Sequence, residues 1–184
     1  MATKIFIDAG HGGPDPGAIG NGVVEEYVNL DVANKLGGIL EDAGYEVMLY
    51  RTTQDENVLS NKVADLRNRA NMANQWGADY FISIHTNASD SPTATGFEQY
   101  VYRLGGEAEA LAEDIASQFG SRLSNDRGIF AQNFSVLRNS NMPAVLIELG
   151  YLTNPTEALN LNSSAWRSAA ARAIADGIAA HVKP

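Results

Sequence analysis

Ile5-Phe6-Ile7-Asp8-Ala9-Gly10-His11-Gly12-Gly13 is the stretch on which the fold of this 184-residue chain turns. The apolar run reads as a buried strand. The glycines after it make a turn with little side-chain bulk, and that turn presents His11 at the strand's end. The pattern recurs twice. Phe81-Ile82-Ser83-Ile84 ends in His85, and Ala144-Val145-Leu146-Ile147 ends in Glu148. In open α/β sheets ligands bind at the carboxyl ends of strands. Two imidazoles and one carboxylate, each delivered at a strand end, point to a single metal-centred site.

Apolar runs at 4–8, 46–50, 80–84, 97–102 and 144–148 predict strands, with a further strand expected near 134–138. Helical patterns alternate with them. Residues 24–43 carry Val28, Ala33, Leu36, Ile39 and Leu40 before Gly44, and 59–76 carry Leu59, Val63, Leu66, Ala70 and Ala73 before Gly77. Residues 106–119 and the alanine-rich 164–182 follow, the latter with Ser164 as its expected N-cap. The alternation predicts one α/β domain: a mixed, largely parallel twisted sheet of about six strands flanked by helices. The strand from Gly96 to Tyr102 follows His85 with no helix between, so it is expected to run antiparallel or at an edge. The loop 86–95 reads as irregular and exposed.

Composition excludes several classes. With 13 basic and 22 acidic residues the formal charge is −9, which argues against nucleic-acid binding, since phosphates need a basic face. The chain has no cysteine, so any metal must be held by nitrogen and oxygen. No apolar run is long enough to span a bilayer and no signal peptide is visible. A protein made in the cytoplasm and released by lysis or through a membrane pore is expected, or one whose signal has been removed. Pro184 is where a linker to a C-terminal binding module could begin.

The candidate residues divide by how well ordinary structure explains them. His181, the third of three histidines, sits in the last helix and reads as surface. A third metal ligand could come from Glu25 or Glu26 at the start of the first long helix. Both also complement a helix dipole, and pattern alone does not choose between them. Glu148 is harder to explain structurally, because a carboxylate ending the most apolar strand is costly unless paired or functional. Either an ion pair with an arginine holds it or it is a general base beside the metal, where burial raises its pKa and a cation lowers it. Arg122, Arg127 and Arg138 read as solvated surface or local pairing. Neither a nucleophile elbow nor a phosphate-binding loop is present.

Four ordered motifs carry a resemblance: Asp8-Ala-Gly-His11-Gly-Gly-Pro-Asp-Pro-Gly17-Ala, Glu25-Glu-Tyr-Val-Asn-Leu30, Ser83-Ile-His85-Thr-Asn87-Ala, and Pro143-Ala-Val-Leu-Ile-Glu148-Leu-Gly-Tyr-Leu-Thr-Asn154. Together with Leu49-Tyr-Arg51-Thr, Leu66-Arg-Asn-Arg69-Ala-Asn71 and Asp126-Arg127-Gly128, they resemble the zinc-dependent N-acetylmuramoyl-L-alanine amidases of the type 3 class. The likeness runs over essentially the whole chain. Ala9, Thr86 and Tyr151 depart from the family's frequent proline, alanine and phenylalanine, and none of these changes removes a group the chemistry needs.

The resemblance implies Zn²⁺ held by His11, Glu25 and His85, and so selects Glu25 over Glu26. It implies Glu148 as the catalytic carboxylate. The implied substrate is peptidoglycan, cut at the amide between N-acetylmuramic acid and L-alanine in the bacterial cell wall. Asn87 could bind substrate or cap its own loop. A monomer is expected, without nucleic-acid or membrane partners. The competing readings are a zinc peptidase cutting within the stem peptide and a non-catalytic wall-binding module with structural zinc. Glu148 separates the last from an enzyme, because a structural site has no need of an extra buried carboxylate.

Overall fold

The computed structural model describes residues 2–120 and 122–184. Its strands are β1 (Lys4–Ala9), β2 (Ile19–Gly20), β3 (Val23–Val24), β4 (Glu46–Leu49), β5 (Tyr80–Asn87), β6 (Phe97–Val101), β7 (Asp126–Ala131) and β8 (Ala144–Tyr151). Its helices are α1 (Glu25–Asp42), α2 (Lys62–Trp76), α3 (Glu107–Phe119), α4 (Ser135–Asn139), α5 (Pro155–Asn162) and α6 (Ser164–His181). Six strands form one sheet in the order β4-β1-β5-β8-β6-β7. Strands β4, β1, β5 and β8 pair in parallel, β6 runs antiparallel to β8, and β7 is parallel to β6. The short β2 and β3 make a separate hairpin leading into α1.

Alternation along the strands divides the core between the two faces of the sheet. Ile5, Ile7, Ile82, Ile84, Val145 and Ile147 pack with Val32, Leu36, Ile115 and Ile174 of α1, α3 and α6. Phe6, Phe81, Ala144 and Leu146 point the other way, towards Ala73 of α2 and Val136 and Leu137 of α4. Phe6 and Phe81 stack there with ring centroids 5.6 Å apart. Asp8, Ser83, His85 and Glu148 continue this second face towards the strands' carboxyl ends. The alternation that buries the core therefore also sets the polar residues in one place.

The sequence expectations hold for five strands and four long helices and fail at four points. Residues 134–138 form most of α4, not a strand. Val136 and Leu137 are adjacent apolar residues that a five-residue helix buries together, so no period is visible. The sixth strand is Asp126–Ala131, which lies on the sheet's edge and is largely exposed; an edge strand needs no apolar run. Its presence outside β6 makes β6 antiparallel but interior. Ser163, not Ser164, caps α6, accepting from the Trp166 N–H at 3.4 Å. His181 is not a surface residue. Its imidazole meets Asp114 at 2.9 Å and stands edge-on to the Tyr80 ring, because the end of α6 packs across α3.

That crossing is close because of Gly177. A Cβ there would lie 2.5 Å from the Ile115 Cα, so α6 and α3 touch backbone to backbone. Gly177→Ala is expected to force the helices apart and to destabilise the fold by about 1–3 kcal/mol despite alanine's better helix propensity. Urea unfolding measures it, and an unchanged or raised midpoint would contradict the close crossing.

Candidate metal centre

The loop after β1 is held by two buried arginines. Arg69 donates to Asp8 Oδ1 at 2.7 Å, to Asp65 Oδ2 at 2.8 Å, and to the carbonyls of Ala9 and His11, each at 2.8 Å. Arg51 donates to the carbonyls of Ala9 and Gly10 at 3.0 Å and of Glu26 at 3.1 Å. Every backbone carbonyl from Ala9 to His11 thus has a guanidinium partner. Ser83 completes Asp8 from the neighbouring strand at 2.7 Å. The clamp holds His11 in a left-handed conformation, φ 61°, which is uncommon for a residue with a side chain. Gly10 is required by contact: a Cβ there would sit 2.2 Å from the His85 ring.

Glu25 enters from the opposite side as the first residue of α1. The Glu25 and Glu26 N–H groups at the helix start are satisfied by the carbonyls of Ala18 and Pro16. The Glu25 carboxylate accepts from the Ala18 N–H at 2.8 Å and the Thr86 N–H at 3.1 Å. Its Oε1 lies 3.0 Å from His85 Nδ1 and 3.3 Å from His11 Nε2. Burial would raise the Glu25 carboxyl, but hydrogen bonds from His11 and His85 outweigh it and hold the group well below the usual carboxylate range. Glu26 is directed elsewhere, its Oε1 taking the Gln54 amide at 3.1 Å. One ligand atom from each of His11, Glu25 and His85 lies within 4.8 Å of the other two. Two imidazoles and a carboxylate so gathered suit a first-row divalent ion such as zinc.

Glu148 stands beside this triad, at the β8 position paired with His85. Burial pushes its carboxyl well above the usual range, and the nearby Glu25 and Glu98 charges add to the effect. Its Oε2 is buried and has no hydrogen-bond partner. Among the described residues Glu148 has no arginine ion pair of the kind the sequence allowed, and the charges acting on it are the carboxylates of Glu25 and Glu98. A buried polar atom without a partner is costly unless something enters the site to meet it. His11, Asp15, His85 and Glu148 line a cavity of about 510 Å³, with Val58, Leu66 and Phe134 among its apolar walls.

Glu98 was not among the sequence candidates, although a carboxylate within Phe97–Val101 is the same anomaly that marked Glu148. It is paired with Glu148 across β6 and β8. It accepts from the Tyr100 and Tyr151 hydroxyls, each at 2.5 Å, and from the Asn87 amide at 3.2 Å, and Arg127 pairs with it. Burial opposes its charge, but the tyrosine and arginine bonds prevail and lower its pKa. Asn87 is engaged within its own surroundings, its carbonyl oxygen taking the Ala88 N–H at 2.9 Å. Arg122 and Arg138 pair locally with Asp176 and Asn133.

A family model described as N-acetylmuramoyl-L-alanine amidase matches residues 5–180. The chain belongs to the N-acetylmuramoyl-L-alanine amidase family. It is 41% identical over 180 residues to the sporulation-specific amidase of Bacillus subtilis (strain 168), covering 96% of this chain and 67% of that one. Among solved structures it is similar to an N-acetylmuramoyl-L-alanine amidase from Clostridium difficile 630, with a TM-score of 0.90, 36% identity, and 97% and 96% of the two chains covered. It is also similar to the catalytic domain of the amidase CwlV from Bacillus (Paenibacillus) polymyxa var. colistinus, with a TM-score of 0.87, 37% identity and 97% of each chain covered. Within this amidase framework the arginine clamp makes a specific claim. Arg69→Met would strand Asp8 and Asp65 as buried charges and is expected to cost about 3–5 kcal/mol. Chemical denaturation measures the loss, and a change below about 1 kcal/mol would mean that the clamp does not hold the loop.

Proposed function

We propose that this chain is a zinc-dependent hydrolase of the bacterial cell wall that cuts the amide between the lactyl group of N-acetylmuramic acid and the L-alanine of the stem peptide. The observation that carries the reading is the convergence of His11, Glu25 and His85 within 4.8 Å, beside a buried carboxylate oxygen of Glu148 that has no partner. In this reading the triad holds the metal. When bound, zinc supplies a Lewis acid that polarises the scissile carbonyl and lowers the pKa of water.

The chain's own residues supply the rest. The carbonyl carbon gains an oxygen from water and loses its bond to the alanine nitrogen. Glu148 accepts the water's proton at its carboxylate and gives it to the leaving nitrogen, which departs as a neutral amine. Burial and the Glu25 and Glu98 charges raise the proton affinity of Glu148, and a bound cation would lower it again, so the carboxylate can both take up a proton and release it. Glu98 stays ionised through its tyrosine and arginine partners and accordingly serves Glu148 as a fixed negative neighbour.

Chelation should abolish the release of new L-alanine amino groups from wall fragments, and added zinc should restore it. Glu148→Gln should retain one zinc per chain while losing about 10²–10⁴-fold in rate. His85→Ala should lose the zinc itself. Elemental analysis and end-group labelling measure these outcomes together. Full activity in verified metal-free protein, or in Glu148→Gln, would refute the assignment. New amino groups only from residues further along the stem would make the chain a peptidase.

A further inference from the structure

We propose that Tyr100, Phe130 and Phe134 form a shelf on which the glycan strand of peptidoglycan stacks, on the β7 side of the cleft. The inference rests on the proposed amidase reading and names where sugars beyond the reacting muramic acid lie. Residues at paired positions on neighbouring strands point to the same face. One such row runs Asp8, Ser83, Leu146, Tyr100, Phe130 from β1 to β7. Asp8 and Leu146 line the cleft. Tyr100 and Phe130 therefore extend its floor outward by two strand spacings, roughly 10 Å. Phe134, just before α4, lines the cleft and meets Tyr100 edge-on at 5.3 Å between centroids, and Phe130 lies 5.8 Å from Tyr100.

Among the phenylalanines, exposure singles out Phe130 and Phe134. Four of the six phenylalanines, Phe6, Phe81, Phe97 and Phe119, are fully buried, while Phe130 is 43% and Phe134 36% exposed. Both open rings contact one tyrosine, and Phe134 lines the cleft. An exposed aromatic patch continuous with a binding cleft marks a ligand surface. Gln132 and Asn133, exposed between the two phenylalanines, and Arg127 on β7 bring hydrogen-bonding groups to the same edge. A β-linked hexosamine strand presents what this surface accepts: flat C–H faces for the rings, with hydroxyl and acetamido groups at their margins. Charge favours the strand over the stem peptide. In intact peptidoglycan the lactyl carboxyl is tied up in the amide, so the glycan is neutral, whereas the stem carries carboxylates that a chain of charge −9 repels.

The probe is chitotetraose, a neutral β-linked N-acetylglucosamine tetramer, titrated calorimetrically into the whole chain. Saturable binding is expected, weakened roughly tenfold by Phe130→Ala and retained by Phe130→Trp, with all three proteins melting alike. On polymeric wall, Phe130→Ala should raise KM and leave kcat nearly unchanged. Absence of saturable binding, or equal affinity in Phe130→Ala, overturns the shelf. A wild-type dimer that Phe130→Ala dissolves, seen by light scattering, also overturns it, because the rings would then join two copies. Release of L-alanine amines without chitotetraose binding defeats the shelf alone. Shelf-dependent chitotetraose binding without any amine release supports the shelf as a sugar surface and defeats the amidase reading.

Discussion

The Asp8–Arg69 ion pair is the constraint on which the site depends. Its side chains are 1% and 2% exposed, so both charges have left water, at a cost that Coulomb attraction alone does not reliably offset. The remaining hydrogen bonds of both groups are therefore decisive. Ser83 and Asp65 complete the pair within the fold, and Arg69 extends to the Ala9 and His11 carbonyls. Such a network contributes less to net stability than to geometry. It fixes one loop conformation in which His11 adopts a left-handed backbone and Gly10 leaves room for the His85 ring. Arg51 holds the same loop and reaches the Glu26 carbonyl, tying the start of α1, and with it Glu25, to the end of β1.

Three carboxylates, Glu25 and Glu98 buried and Glu148 half-buried, then meet at one end of the sheet, and their environments drive their proton affinities apart. Glu25 has two imidazoles and two backbone N–H groups and remains ionised. Glu98 has two phenols, an amide and a guanidinium, and is likewise held ionised. Glu148 has burial, two like-charged neighbours and an oxygen without a partner, and its proton affinity rises. Divergent proton affinities among neighbouring acids are the usual basis for assigning distinct roles. In the proposed reading these environments separate a metal ligand, a fixed charge and a proton carrier among residues of the same type.

Most of this was legible from the sequence, for reasons that also explain the exceptions. A buried parallel strand must be apolar throughout, so β1, β5 and β8 announce themselves, and a charged or imidazole residue at the end of each stands out. The helices were readable through their period and their glycine stops at Gly44 and Gly77. Strand β7 was not, because an edge strand has no second neighbour and needs no apolar run. Glu98 passed unnoticed because it lies second in a short strand, where a polar residue reads as facing solvent. The roles of Arg51 and Arg69 were hidden for another reason: a buried arginine is legible only once its carbonyl partners are known, and those partners are far away in sequence.

In the proposed site His11, Glu25 and His85 share one zinc beside Glu148. Anomalous diffraction from crystals grown with zinc, collected on both sides of its absorption edge, tests this most directly. The account predicts one strong peak about 2.0–2.2 Å from a donor atom of each of the three residues, with Glu148 outside coordination distance. A peak coordinated by Glu148 in place of Glu25, or located away from the three residues, would contradict it.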